Sequence, residues 1–441
     1  MGRGRVSKPL KVALLGAGVV GSQVARIILN EGPTLEARIG RRLELVGIGV
    51  RRLEAERPGI DPALLTTDLE SLVARKDLDI VIELIGGIEP ARTLLLTAIA
   101  NGASVVSANK ALLADDLGEL SRAAEAKGVD LYYEAAVAGA IPIVRPLRES
   151  LVGDDITAVM GIVNGTTNYI LDKMVSDGSS FDAALAEAQQ LGYAEADPTA
   201  DVEGHDAAAK AAILAGLAFH TEVRRDEVFC EGITGVTEDD IAAAEQMGCT
   251  IKLLAIAKLT DDDRVIVKVH PAMVANKHPL ATVSGAYNAI FVNSREAGEL
   301  MFLGQGAGGA PTASAVMGDV VTVARNRHRG TASHRGSSSS SRAVAPIGES
   351  EAQFYVSFDV VDRPGILARC AGIFGDHGVS LRVVQQSYLA DREGADASGF
   401  AARLGVMTHL TRESDLAVVV EELRRSDFVG SDVRVLRVEG F

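Results

Sequence analysis

The chain has 441 residues, with 44 Lys and Arg against 59 Asp and Glu, for a formal charge of −15. That length suits roughly two to four domains, and the acidic balance argues against nucleic acid as a general partner. Hydrophobic residues make up 47% of a chain without Trp, so packed cores built from Ala, Val, Leu and Gly are expected rather than disorder.

Arg3, Arg5 and Lys8 precede an apolar run over 12–20, which superficially resembles a secretory leader. Gly16, Gly18 and Gly21 break that run with a spacing of their own. No apolar stretch is long enough to predict a membrane span. The pattern predicts strands over 11–15, 43–50, 80–84, 104–107 and 131–134. Helices are predicted up to about 29 and over 91–100 and 115–126, and residues 31–42 read as an insertion. Alternating strands and helices predict a Rossmann-type α/β fold, a doubly wound parallel sheet, over 1–145.

Residues 146–304 read as an α+β substrate and dimerisation domain, with helices over 181–191, 206–219 and 239–247 and a strand over 265–269. A glycine-rich turn over 304–312 leads to a helix over 313–324, expected to return and complete the first domain through about 305–325. The Arg-rich and Ser-rich stretch 326–350 reads as a flexible linker. Residues 351–441 show a βαββαβ pattern, over 353–361, 365–376, 379–387, 403–410, 413–425 and 433–438, the ferredoxin-like arrangement. Cys230, Cys249 and Cys370 lie far apart, so neither a disulfide framework nor a zinc site is expected, and a reducing cytoplasm fits.

The first motif is Gly16-Ala17-Gly18-Val19-Val20-Gly21, directly after a strand and opening a helix. Gly16 permits a tight turn, Gly18 lets a pyrophosphate approach the backbone, and Gly21 allows close helix–sheet packing. A dinucleotide site is expected. At the end of the second strand an NAD enzyme usually carries an acid for the ribose hydroxyls. Arg51 and Arg52 stand there instead, which favours the 2′-phosphate of NADP(H) over NAD(H). A solvated surface pair is the bland reading.

The second constellation runs from Gly192 to Lys210 and is dense in carboxylates, with Glu195, Asp197, Asp201, Glu203 and Asp206. Lys210 shares a helix face with Ile213, Leu214 and Leu217. A cation among apolar neighbours is costly unless it is paired or functional. Asp206, four residues earlier, is within reach, so an ordinary acid–lysine pair is the alternative. An ammonium there could donate a proton to an aldehyde oxygen as hydride arrives. Glu195 and Asp206 could take the amino group of an amino-acid substrate. Lys110 follows a strand end at the carboxyl edge of the sheet, where ligands of such folds bind.

These residues carry a resemblance. Ala188-x-x-x-Gly192-Tyr193 followed by Asp197-Pro198-x-x-Asp201-Val202-x-Gly204-x-Asp206-x-x-x-Lys210 resembles the signature of the homoserine dehydrogenases. Ala108-Asn109-Lys110, Asn164-Gly165-Thr166-Thr167-Asn168-Tyr169 and Gly304-x-Gly306-Ala307-Gly308 extend the likeness over residues 10–325. The resemblance implies reversible reduction of aspartate 4-semialdehyde to homoserine, with Lys210 as proton donor. It implies that Glu195 and Asp206 bind homoserine, supported by Asp201, with Lys110 between cofactor and substrate and Gly192 and Gly308 lining the cofactor cleft. It also implies a sodium-type monovalent-cation site formed by Glu134 and the carbonyls of Val137, Gly139 and Ile141, and a homodimer or homotetramer. Asp362-Arg363-Pro364-Gly365 and His377-Gly378-Val379-Ser380 make the C-terminal segment similar to an ACT domain, for which threonine is the natural effector. The polar stretch 390–399 reads as an insertion in its hairpin. Another semialdehyde oxidoreductase and a non-catalytic amino-acid sensor are the competing readings.

Overall fold

Short runs, fully or largely buried except at the edge strand β3, build the first sheet: β1 (Leu10–Leu15), β2 (Leu43–Gly49), β3 (Leu65–Thr66), β4 (Ile80–Glu83), β5 (Ser104–Ser107) and β6 (Leu131–Tyr132). The structure, a computed structural model, describes residues 8–332, 342–388, 400–430 and 432–440. The six strands are parallel in the order β3-β2-β1-β4-β5-β6. Strand order reverses between β1 and β4, which opens a crevice at their carboxyl ends. Helices α1 (Val19–Asn30) and α2 (Gly32–Ile39) cover one face. Helices α3 (Leu69–Val73), α4 (Ala91–Ala100) and α5 (Lys110–Lys127) cover the other. The stretch expected as an insertion is thus α2, begun by Pro33 in its first turn and closed by Gly40 at φ 85°, the usual division of labour between these two residues.

The second sheet has eleven strands and serves two regions of the chain. The first contributes β7 (Ile156–Ile162), β8 (Phe229–Cys230), β9 (Cys249–Leu259), β10 (Val265–Ala275), β11 (Tyr287–Ser294) and β12 (Gly298–Gln305). Helices α6 (Gly165–Asp177), α7 (Phe181–Gln190), α8 (Thr199–Val202), α9 (His205–Phe219) and α10 (Glu238–Gln246) lie between them. Helix α9 is almost wholly buried because its alanines let it sit close against β9 and β10. Helix α11 (Gly309–Arg329) then returns to the first sheet, burying Val316, Val320 and Val323 with Leu10, Val24 and Ile28.

The C-terminal segment adds β13 (Glu351–Val360), α12 (Ile366–Asp376), β14 (Leu381–Tyr388), β15 (Ala402–Thr408), β16 (Thr411–Arg412), α13 (Glu413–Arg425) and β17 (Arg434–Glu439). Its sheet order β17-β13-β15-β14 is antiparallel and ferredoxin-like, as the pattern predicts. Phe354, Phe358, Phe374, Val419 and Leu423 form its core. Strand β17 pairs in parallel with β10, Ala272 opposite Arg437, so this sheet continues the preceding one edge to edge.

The linker expected over 326–350 needs correcting. The stretch from 326 starts as helix: Arg327, His328 and Arg329 form the last turn of α11, where positive charge complements the helix dipole. Residues 342–350 are packed, with Val344 bridged to Val265 and Arg342 Nη1 donating to Phe219 O at 2.9 Å. Of the expected linker, 333–341 lie outside the described residues, as does the 390–399 insertion.

Candidate active site

The dinucleotide turn has the geometry that its glycines predict. Gly16 lies at φ 98°, and a Cβ there would stand 2.6 Å from the Leu84 carbonyl oxygen. A Cβ on Gly21 would stand 2.1 Å from Gly16 O, whereas one on Gly18 would meet nothing within 4 Å. Turn and helix therefore close on each other, while the position meant for a ligand stays open. Ala17 and exposed Val19 continue the turn into Val20. Gly309, at the start of α11, packs on Val19, and Gly308 before it takes φ 121°. Arg51 and Arg52 follow β2, exposed, and among the described residues neither guanidinium is paired with a carboxylate.

The loops after β7 and α8 bring a polar cluster together around Asp206. Asn164 caps α6, its Oδ1 accepting from Thr167 N at 2.9 Å. Its Nδ2 donates to Asp201 Oδ1 at 2.6 Å and to Asp206 Oδ2 at 2.9 Å. Lys210, buried on α9, donates to Asp206 Oδ2 at 2.7 Å and to the Val163 carbonyl at 2.7 Å. Lys110, half exposed at the start of α5, donates to the other Asp206 oxygen. Burial opposes charge on Asp206, but the Lys210 and Lys110 ammonium groups outweigh it and hold this carboxyl well below the usual range. Burial pushes the Asp201 carboxyl upward against the pull of Asn164, and the neighbouring Asp206 charge adds to the rise.

Of the expected site residues, Lys210, Asp206, Asp201 and Lys110 thus converge. Glu195 does not join them: it is exposed on the loop after α7, and its carbonyl accepts from Gln189 Nε2 at 3.1 Å. Gly192 turns that loop at φ 76°. The next residue, Tyr193, is held through its carbonyl by Thr166 Oγ1 at 2.6 Å.

Glu134 is buried, and its carboxylate accepts from the amides of Ile143 at 2.6 Å, Val144 at 2.8 Å and Arg145 at 3.0 Å. The Ile141 amide goes to Ala138 O at 3.0 Å. Ala138 and Gly139 both take positive φ, 55° and 57°. A single carboxylate with main-chain oxygens is the donor type that a hard, weakly charged cation takes; here both Glu134 carboxylate oxygens accept from main-chain amides. Among the described residues, no group of three or more His, Cys, Asp or Glu is placed to hold a metal.

Sequence reasoning used Asn164 and Asn109 only as motif letters and gave no part to Glu83 or Ser107. A buried acid ending a strand at the carboxyl edge was the available signal.

The likeness to known proteins spans most of the chain. The family model described as "Homoserine dehydrogenase" matches residues 142–321, its NAD-binding domain matches 16–134, and the ACT domain matches 354–427. A homoserine dehydrogenase of Mycobacterium tuberculosis is 54% identical over 98% of both chains. One of Corynebacterium glutamicum is 52% identical over 97% of this chain and 95% of its own. Among solved structures, a homoserine dehydrogenase from Thiobacillus denitrificans superposes with a TM-score of 0.90 at 37% identity, covering 98% of each chain. A hyperthermophilic archaeal one, in complex with NADPH, has a TM-score of 0.60 at 26% identity over 72% of this chain and 98% of its own. The chain belongs to the homoserine dehydrogenase family, as an NAD(P)-dependent oxidoreductase carrying a C-terminal ACT domain.

Proposed function

We propose that the protein interconverts aspartate 4-semialdehyde and homoserine with NADP(H) as the preferred cofactor, Lys210 giving or taking the proton. When bound, the dinucleotide supplies or accepts the hydride. In the reductive direction the Lys210 ammonium passes a proton to the carbonyl oxygen while its carbon is reduced. In the reverse direction the amine takes the hydroxyl proton. A lysine ammonium has three N–H donors. Asp206 and Val163 O occupy two of them, which leaves one for a substrate oxygen. This buried, two-point anchorage carries the reading.

Asp206 and Asp201 provide the negative charge for a substrate amino group, and Lys110 the positive charge for its carboxylate. Glu195 would have to approach by movement of its exposed loop. Arg51 and Arg52 supply positive charge, unpaired among the described residues, where a 2′-phosphate would lie. Glu134 with the Val137, Gly139 and Ile141 carbonyls would hold a monovalent cation, which would add a fixed charge bracing that loop. The ACT domain is read as a sensor of the pathway amino acid threonine. Three free thiols suit a cytoplasmic setting, and no described helix is long and apolar enough to cross a membrane. A homodimer or homotetramer belongs to the same reading, by family resemblance.

The test is a spectrophotometric assay with homoserine and either NADP or NAD, with and without threonine, on the natural enzyme and Lys210→Ala. Loss of turnover by about 100-fold or more is expected for a general acid–base residue. Undiminished turnover would remove Lys210 from the mechanism.

A further inference from the structure

Glu83 is the last residue of β4 and is fully buried. No apolar or packing reason puts a carboxylate there. Its Oε1 accepts from the amides of Ile85 at 2.9 Å and Gly86 at 3.1 Å, and its Oε2 from Ser107 Oγ at 2.6 Å. Ser107, the last residue of β5, in turn accepts from the Asn109 amide at 3.1 Å. Asn109 Nδ2 returns to the Gly87 carbonyl at 2.6 Å, while its Oδ1 caps α5 through the Leu112 amide at 3.2 Å. Lys110 is the first residue of that helix.

The same loop touches the cofactor side. The Leu84 carbonyl and the Ile85 side chain fill the space a Gly16 side chain would take. Contacts therefore run unbroken from the dinucleotide turn through Leu84 and Ile85 to Glu83. From there they pass through Ser107 and Asn109 to the root of Lys110, and through Lys110 to Asp206 and Lys210. A buried carboxylate with three donors is a rigid joint, because each lost bond leaves a donor or acceptor unsatisfied away from water.

We propose that Glu83, acting through Ser107, is a positioning residue for the reaction: it fixes the Lys110 ammonium relative to the cofactor turn. The proposal rests on the reading of Lys110 as a substrate contact. It predicts that the Glu83–Ser107 pair acts through Lys110 and has little effect once that side chain is gone.

The experiment is a double-mutant cycle on the full-length enzyme, with Glu83→Gln, Ser107→Ala, Lys110→Ala and the two combinations with Lys110→Ala. It reads kcat and KM for homoserine, with NADPH binding followed separately by nucleotide fluorescence. Ser107→Ala is the conservative variant should Glu83→Gln fold poorly. Expected are a rise in homoserine KM and a fall in kcat/KM of about 10-fold or more for either single variant, since coupled contacts are worth about 0.5–3 kcal/mol. In the Lys110→Ala background the same changes should alter kcat/KM by less than about 2-fold, the scatter expected of uncoupled sites. If the losses multiply independently while Lys110→Ala alone is impaired, Glu83 does not position Lys110, and the reading of Lys110 stands. If Lys110→Ala alone is unimpaired, the role of Lys110 fails and the positioning role with it.

Discussion

Lys110 and Lys210, one hundred positions apart and on different domains' helices, are held by opposite oxygens of a single carboxylate, that of Asp206. The two cations differ in setting: Lys210 is buried and Lys110 half exposed. Removing one partner of a buried pair costs about 3–5 kcal/mol because the other charge is stranded. Asp206→Asn should therefore destabilise the protein by about that much. Lys210→Met should cost less, since Asp206 keeps Lys110 and Asn164. Urea denaturation of the two variants checks the order, and the reverse order would show that Asp206 is not the hub.

The glycines of the dinucleotide turn should separate folding from binding. Gly21→Ala forces a methyl to 2.1 Å from a carbonyl oxygen, and overpacking of that kind costs about 1–3 kcal/mol. Gly18→Ala meets open space, so its melting temperature should stay within the change expected of about 0.5 kcal/mol. Its NADPH affinity should nevertheless fall. A Gly18→Ala enzyme that binds NADPH normally would place the pyrophosphate elsewhere.

Arg51→Ala and Arg52→Ala should lower kcat/KM with NADP while leaving the NAD reaction little changed. A charge-assisted hydrogen bond contributes about 1.5–3 kcal/mol, or roughly 10- to 100-fold. Equal losses with both nucleotides would mean that the two arginines do not read the 2′-phosphate.

His270 makes a prediction about acid. It is fully buried on β10, with Nδ1 against the Pro271 carbonyl at 3.0 Å. Burial, with the charges of Lys268 and Arg437 nearby, pushes its pKa well down. The folded ring stays neutral where the unfolded one takes a proton. Its contribution to stability is thus complete above the unfolded value, about 6.5. It is lost as pH falls below that, by about 1.4 kcal/mol per pH unit for one proton. His270→Phe should flatten this part of the stability–pH curve between pH 6.5 and 5. An unchanged slope would assign the proton to another group.

Much of this was legible in sequence because local rules and tertiary structure agree there. The glycine spacing at Gly16, Gly18 and Gly21 dictates the turn whatever packs around it. Lys210 stood out because α9 has no polar face to which it could belong. The arrangement around Asp206 was half legible: Asp206 lies four residues from Lys210, but Lys110 reaches it only through the meeting of α5 and α9. Strands β7 and β11 were missed because they pair across a long separation, Ile290 opposite Gly161; β9 and β12 were missed although each closes a hairpin with its chain neighbour, β10 and β11. The end of α11 read as linker because its arginines resemble a charged tether until the helix that carries them is known.

The parallel seam between β10 and β17 has a consequence for dissecting the protein. Deleting the chain from Ala343 onward would not release a tidy catalytic core. It would bare the backbone of β10 along Ala272–Val274 and strand Lys268 and Glu231, whose counter-charges Glu439 and Arg437 lie on the lost strand. A raw strand margin of that sort invites foreign chains to stack on it. Aggregation of such a truncation would therefore reflect an unhealed cut, and would carry no information about feedback control.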